Sequence, residues 1–193
     1  MKRKIFVKEN YSLCLRYLRE IKWHIVLSLG IFSFIFILGF LFPILFREEI
    51  LSLISELMFL VEGKNLYEMI IFIFLNNLKV SFIAMISGIF IGLFPLITLI
   101  VNGYVLGFVA RESVELQGLS ILWRLLPHGI FELPAVFFST GIGLKIGLDL
   151  FKKDWKKKIK HNFNEGLRFF ISVVIPFLII AALIESALIF YFS

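Results

Sequence analysis

The chain has 193 residues, of which 60% are hydrophobic and 18% are charged. Soluble domains carry about 25% charged residues, and a mean hydropathy of +0.95 leaves too few polar side chains to cover a surface in water. This composition excludes disordered, collagen-like, coiled-coil and disulfide-stabilised proteins. The single cysteine, Cys14, excludes an intramolecular disulfide. The sequence therefore predicts one integral membrane domain, residues 1–193.

Apolar stretches alternate along the chain with clusters of charge. A helix needs about 20 apolar residues to cross the hydrocarbon of a bilayer, and the pattern predicts an all-α polytopic transmembrane bundle. The predicted spans lie near residues 23–46, 69–94, 96–110, 125–148 and 169–191. The third stretch has only 15 residues. We expect it to tilt little, to lie in a thinned bilayer, or to extend into the polar segment that follows.

Two further segments have the pattern of amphipathic helices. Residues 1–22 are basic and place apolar side chains near one helical face, so we expect an interfacial helix on the cytoplasmic leaflet that contacts anionic lipid headgroups. Residues 48–62 form a second amphipathic segment, which ends at Gly63 and is expected on the outer surface or against other spans. The basic residues lie beside predicted spans, so no nucleic-acid partner is predicted.

Small residues recur at a spacing of four in three of the spans. The three sets are Ala84, Gly88 and Gly92; Gly103 and Gly107; and Ser139, Gly143 and Gly147. Such stripes let helix backbones approach closely within lipid, so we expect these spans to form a tight core. Asn77 shares the face of the first set and is expected to point into the bundle, either as an interhelical hydrogen-bonding group or as part of a transport path.

Prolines predict three interruptions of the helices. Residues 92–95, Gly-Leu-Phe-Pro, predict a tight turn or a broken helix between two spans. Pro127 and Pro134 interrupt the fourth apolar stretch, and a helix broken near Pro127 would have to line a cavity, because non-helical backbone at membrane depth needs protein or water around it. Pro176 is expected to kink the last span.

Lysine and arginine predict the orientation. Residues 1–22 contain seven of them and residues 145–168 contain eight, whereas the two clusters between contain two each. Basic residues near span ends are enriched on the cytoplasmic side, and four predicted spans separate the two basic clusters. We therefore expect a multi-pass protein of the cell membrane with a cytoplasmic N-terminus and the C-terminus outside.

The central region carries a series of short motifs. Residues 76–147 contain Asn-Asn-Leu-Lys-Val, Gly-Ile-Phe-Ile-Gly-Leu-Phe-Pro, Asn-Gly-Tyr-Val-Leu-Gly, Leu-Leu-Pro-His-Gly-Ile-Phe-Glu-Leu and Gly-Ile-Gly-Leu, in that order. In order and spacing they resemble the stage II sporulation protein M family of multi-pass membrane proteins, and Pro-His-Gly-x-x-Glu is the most specific part. The resemblance implies the fold. It also implies a non-enzymatic membrane scaffold that recruits partners, since the family's namesake anchors cell-wall hydrolases during engulfment; that sporulation role itself is not carried over to this chain.

Four ionisable residues lie within apolar stretches: Lys79, His128, Glu132 and Glu185. An ionised group at the centre of a bilayer costs at least about 2.5–3.5 kcal/mol, so each needs a partner or a wet cavity. Lys79 is about 15 Å into its predicted span at 1.5 Å per residue. We expect it to form a buried ion pair with Glu132 or with Glu185.

His128 and Glu132 are four residues apart, so a helix places them on one face. With Asn77, Asn102 and Lys79 they are the predicted path for a substrate, an ion or a proton. One alternative is that the pair only forms a structural hydrogen bond. Another is that it binds a divalent metal. Two ligands are too few for a closed zinc site, and a homodimer would supply the others.

The sequence contains none of the motifs of soluble enzymes, such as a Walker loop or a zinc-protease helix, so no enzymatic activity is predicted. Two classes of function remain. One is a small transporter or channel with a buried polar site, acting as a homodimer or other homo-oligomer. The alternative is a non-enzymatic membrane scaffold or anchor that recruits partner proteins such as cell-envelope remodelling enzymes.

Overall fold

The computed structural model describes the backbone of residues 2–192 and the side chains of residues 9–191, apart from 57, 61 and 123–128. Its helices are α1 (Lys2–Leu41), α2 (Arg47–Val61), α3 (Leu66–Ile86), α4 (Leu93–Gln117), α5 (Leu122–Asp149), α6 (Trp155–Phe169) and α7 (Ile175–Phe192), and this described part contains no strand. Five segments of it are long and apolar enough to cross a membrane: Glu9–Leu41, Leu66–Ile89, Leu93–Gln117, Gly129–Asp149 and Trp155–Tyr191. The prediction of an all-α polytopic bundle is confirmed.

The amphipathic N-terminal segment is continuous with the first span, and the prediction of a separate surface helix is wrong. α1 is one helix of 40 residues, about 60 Å at 1.5 Å per residue and about twice the thickness of bilayer hydrocarbon. No glycine or proline lies between residues 2 and 29 to interrupt it. Its apolar face, with Cys14, Tyr17 and Ile21, is buried in a protein core.

The N-terminal half of α1 crosses α6. The hydroxyl of Tyr17 donates to the backbone carbonyl of Asn162 at 3.2 Å, and a ring nitrogen of His161 lies 3.2 Å from a carboxylate oxygen of Glu20. These contacts join the two basic clusters of the sequence. The fold therefore places both clusters at the same end of the bundle.

A tight turn joins α3 and α4, as residues 92–95 predict. Gly92 has φ 72°, a left-handed conformation that glycine adopts without strain. Pro95 lies in the first turn of α4, where a backbone N–H has no helical partner to lose. α4 has 25 residues, Leu93–Gln117, so the stretch predicted at residues 96–110 extends into the polar segment that follows it, which confirms the last of the three alternatives. α4 continues through the charged residues near its C-terminal end. There a carboxylate oxygen of Glu112 lies 2.8 Å from a guanidinium nitrogen of Arg47 in α2.

α5 is one continuous helix of 28 residues, so the predicted break near Pro127 is wrong. A proline removes one backbone hydrogen bond, but neighbouring helices often compensate for that loss within membrane bundles. The half of α5 after Pro134 is closely packed, and Ala135, Ser139 and Ile142 are fully buried.

A π-helical turn, Phe170–Val174, joins α6 to α7 just before Pro176. Proline has no N–H to donate to the carbonyl one turn earlier, and π-helical turns are a recognised cause of helix bending. Within this turn the hydroxyl of Ser172 accepts a hydrogen bond of 2.8 Å from Asn10. The irregular turn therefore also carries a contact between α1 and the last span.

Glycines bring α4 against α1. A Cβ atom built on Gly103 would lie 3.0 Å from the carbonyl oxygen of Phe32, and one on Gly107 would overlap the carbonyl of Phe36. Along this contact the residue numbers of α4 and of α1 increase together, so the two helices run in the same direction. This agrees with one span, α3, crossing back between them.

A second set of glycines joins α5 to the end of α3. A Cβ atom on Gly143 would overlap the carbonyl oxygen of Ala84, and one on Gly88 would overlap the backbone of Gly143. A Cβ atom on Gly147 would overlap the backbone of Gly92 in the turn. Backbones in direct contact at these positions hold α3, α4 and α5 together by dispersion forces.

Candidate functional site

A cavity of about 810 Å³ lies between α1, α4, α5 and the C-terminal part of α7. Most of its wall is apolar. Phe32 and Phe36 come from α1, Leu106 comes from α4, and Val136 and Phe137 come from α5. Its volume lies in the range of about 300–1,000 Å³ that is typical of small-molecule sites.

Two carboxyl groups face this cavity, from Glu132 of α5 and Glu185 of α7. They are close enough to interact electrostatically. The Oε2 atom of Glu185 is buried and has no hydrogen-bond partner among the described residues. The cavity wall therefore includes a carboxyl oxygen that no described protein group satisfies.

Close packing of α7 fixes the position of Glu185. Ala181, Ala182 and Ser186 are fully buried on the same part of the helix, and Ala182 packs with Met69 and with Ile73 of α3. Small residues at the contact bring α7 close to its neighbour. The carboxyl group therefore projects from a rigid element.

Lys79 does not pair with either carboxylate, and the prediction of a buried ion pair is wrong. Its side chain is exposed on α3, and none of the ion pairs between described residues includes it. Lys79 is two residues from Ser81, which is 1% exposed, and residues two apart on a helix do not share a face. The same stripe that places Ser81 and Ala84 in the core therefore turns Lys79 outward.

The two asparagines of the predicted path are separated. Asn102 of α4 lines the cavity and is half-buried, and its Nδ2 donates to the carbonyl of Thr98 at 2.8 Å. Asn77 is half-buried on α3, and α3 contributes no described residue to the cavity wall. The prediction that Asn77 and Asn102 line one cavity is wrong, because α3 packs against α5 and α7 outside this space.

The side chain of His128 lies outside the described residues, so its pairing with Glu132 and a metal site at the two residues stay predictions. The helical backbone of α5 does include both positions. Within the described part of the chain, no group of three or more histidine, cysteine, aspartate or glutamate residues could hold a metal ion.

Sequence reasoning missed that Glu132 and Glu185 line the same cavity, to which no described lysine contributes. It also missed Ser33 of α1, which lines the cavity. The sequence did contain a partial indication for the two acids, because Glu132 and Glu185 are the acidic residues furthest from any cluster of charged residues. Two serine hydroxyls outside the cavity make hydrogen bonds within the bundle: Ser139 donates to the carbonyl of Ala135, and Ser172 accepts from Asn10.

Residues 26–188 match the family model described as stage II sporulation protein M. The chain is similar to uncharacterized protein MJ0793 of Methanocaldococcus jannaschii, with 33% identity over 166 residues, which cover 83% of this chain and 90% of that relative. It is also similar to uncharacterized protein MJ0706 of the same organism, with 31% identity over 128 residues, which cover 63% of this chain and 56% of that relative. No solved structure matches the chain significantly. Every described residue of the cavity wall falls within the region that the family model matches.

Proposed function

The chain belongs to the stage II sporulation protein M family of multi-pass membrane proteins, and we propose that it is a small transporter that moves a solute through the cavity between α1, α4, α5 and α7. The observation that carries the proposal is the buried Oε2 atom of Glu185, which has no partner among the described residues and belongs to a side chain that faces this cavity. A scaffold gains nothing from a carboxyl group placed there at a cost of several kcal/mol. A transporter needs polar groups within an otherwise apolar wall.

Filling the cavity should therefore stop solute movement. Ser33 is an exposed residue that lines the cavity, so Ser33→Trp places an indole at the cavity mouth with little disturbance of the core. We expect proteoliposomes loaded with the low-molecular-weight fraction of a cell extract to release at least one solute, identified by mass spectrometry, and Ser33→Trp to abolish that release. The control is Phe34→Trp, because Phe34 is 62% exposed and does not line the cavity. Equal release from both variants, or no release from the unmodified protein, would count against transport.

The alternative function is a membrane anchor, and α2 gives it specific support. α2 carries large exposed apolar side chains, including Met58 at 68% and Phe59 at 76% exposure. Its contacts with the bundle include the buried side chain of Ile50 and the Arg47–Glu112 pair. A partner protein would find an apolar surface there. This function predicts that cavity-filling substitutions leave the activity intact and that substitutions on α2 do not.

We also propose the orientation in which the N-terminus is cytoplasmic and the C-terminus is outside. The meeting of both basic clusters at one end of the bundle supports it, as does the exposure of Lys156, Lys157 and Lys158 on α6, which suits contact with anionic lipid headgroups. The predicted homo-oligomer has no structural support and stays a prediction.

Cysteine labelling from one side of the membrane tests this orientation. With Cys14 replaced, single cysteines at Lys157 and at Gly118 should react with an impermeant reagent from opposite sides. A cysteine at Ser193 should react from the same side as one at Gly118. Labelling of Lys157→Cys and Gly118→Cys from one side would mean that the number of crossings between them is even.

A further inference from the structure

We propose that the cavity takes an organic cation, a small molecule that carries one ammonium-type charge on an apolar body. The proposal rests on the transport function proposed above and names the class of solute for the same cavity. Three properties of the cavity lead to it: its two acidic residues, its aromatic wall and its opening.

The ionisable groups that the structure describes on the cavity wall are both acidic. Glu132 and Glu185 face the cavity, and the part of the wall that the structure describes contains no lysine, arginine or histidine. A cation between two carboxyl groups in an apolar space stabilises their ionised forms. A buried carboxylate needs an opposite charge, and a cationic ligand would supply one. An anionic ligand would be repelled by these two acids whenever they are ionised.

The wall favours an organic cation over a bare metal ion. Phe32 and Phe137 meet edge to face, with ring centroids 5.2 Å apart, and Phe36 lies near them on the wall. Aromatic faces attract ammonium groups, and the attraction is stronger away from water. A volume of about 810 Å³ also exceeds what a metal ion needs, whereas it accommodates an apolar body of the size of many small-molecule ligands.

The rim of the cavity explains how such a molecule could enter. Leu29, Ile37 and Ile130 line the cavity and are 47%, 52% and 61% exposed. All three lie within spanning segments, where an exposed apolar side chain faces hydrocarbon. The cavity therefore opens toward the side of the bundle. An amphipathic cation that has partitioned into the bilayer would reach the carboxylates from there.

Tetraphenylphosphonium is the probe, and tetraphenylborate is an anion of the same shape. The full chain in nanodiscs of uncharged phosphatidylcholine should bind radiolabelled tetraphenylphosphonium saturably and at least about tenfold more tightly than the borate, a factor that corresponds to about 1.4 kcal/mol. Glu132→Gln and Glu185→Gln should each weaken binding by a similar factor. Glu48→Gln is the control, because Glu48 is an exposed acid on α2.

A Glu185→Asp variant keeps the charge, and it should retain more binding than Glu185→Gln even if the neutral variant is poorly folded. Equal affinity for cation and anion, or cation binding that neither neutral variant weakens, would overturn the proposal. If the cation does not bind while Ser33→Trp still stops solute release, transport stands and the substrate class is wrong. If the cation binds and no solute is released, the cavity is a cation-binding site and the transport function is wrong.

Discussion

Replacing Gly143 with alanine should lower the free energy of unfolding by about 2–3 kcal/mol, although it adds a single methyl group. The new Cβ atom would overlap the carbonyl oxygen of Ala84 and would crowd the ring of Pro95, at 2.6 Å from its Cγ atom. One of these is backbone, which cannot move aside as a flexible side chain can. The helices must therefore separate, and dispersion contacts along the α3–α5 contact are lost with them.

Gly30→Ala is the matched control. Gly30 also lies within a spanning helix, but nothing lies within 4 Å of the position that its Cβ would occupy. Alanine is the better helix former by at most about 1 kcal/mol, so this variant should be as stable as the unmodified protein or slightly more stable. Unfolding in mixed micelles of a mild detergent and sodium dodecyl sulfate measures both. If the two variants have the same stability, α3 and α5 are not in backbone contact.

Replacing Glu185 with leucine should stabilise the protein and abolish solute release. The buried Oε2 atom has no partner among the described residues, and an unsatisfied buried polar atom costs about 1–3 kcal/mol. Leucine removes that cost and suits the apolar wall of the cavity. We therefore expect the free energy of unfolding to rise by about 1–3 kcal/mol while release from proteoliposomes falls to the background level.

This combination distinguishes a functional group from a structural one, because a residue placed for activity often reduces stability. Glu132→Gln should also abolish release while the protein remains folded and monodisperse. Glu165→Gln serves as the control at an acidic residue that pairs with Arg168 on α6. If Glu185→Leu unfolds the protein, the carboxyl group has a structural partner and the site is wrongly assigned.

Much of the fold could be predicted because membrane spans follow from local composition. A run of about 20 apolar residues must satisfy its backbone internally, and a helix does so. Glycine spacing also carried direct information, since Gly88, Gly103, Gly107 and Gly143 lie where neighbouring backbones meet. Both kinds of signal depend on residues close together in sequence.

The remaining features depend on residues far apart in sequence. The sequence predicts a buried ion pair for Lys79. Its side chain is exposed instead, because the packing of α3 against α5 and α7 determines which face of α3 is buried. Glu132 and Glu185 both line a cavity formed by four helices. The break expected at Pro127 is absent because a proline costs one hydrogen bond and need not end a helix. Composition does not encode these outcomes.

The most direct test asks whether the wall of the cavity is open to a small molecule. In a Cys14→Ala background, Asn102→Cys places a thiol on the cavity wall, and Ser139→Cys places one at a fully buried position on α5 outside it. Aminoethyl methanethiosulfonate, a small cationic reagent, should modify the thiol at position 102 within a time that leaves position 139 unmodified. Equal resistance of both thiols would show a dry, closely packed interior and would contradict a solute site between α1, α4, α5 and α7.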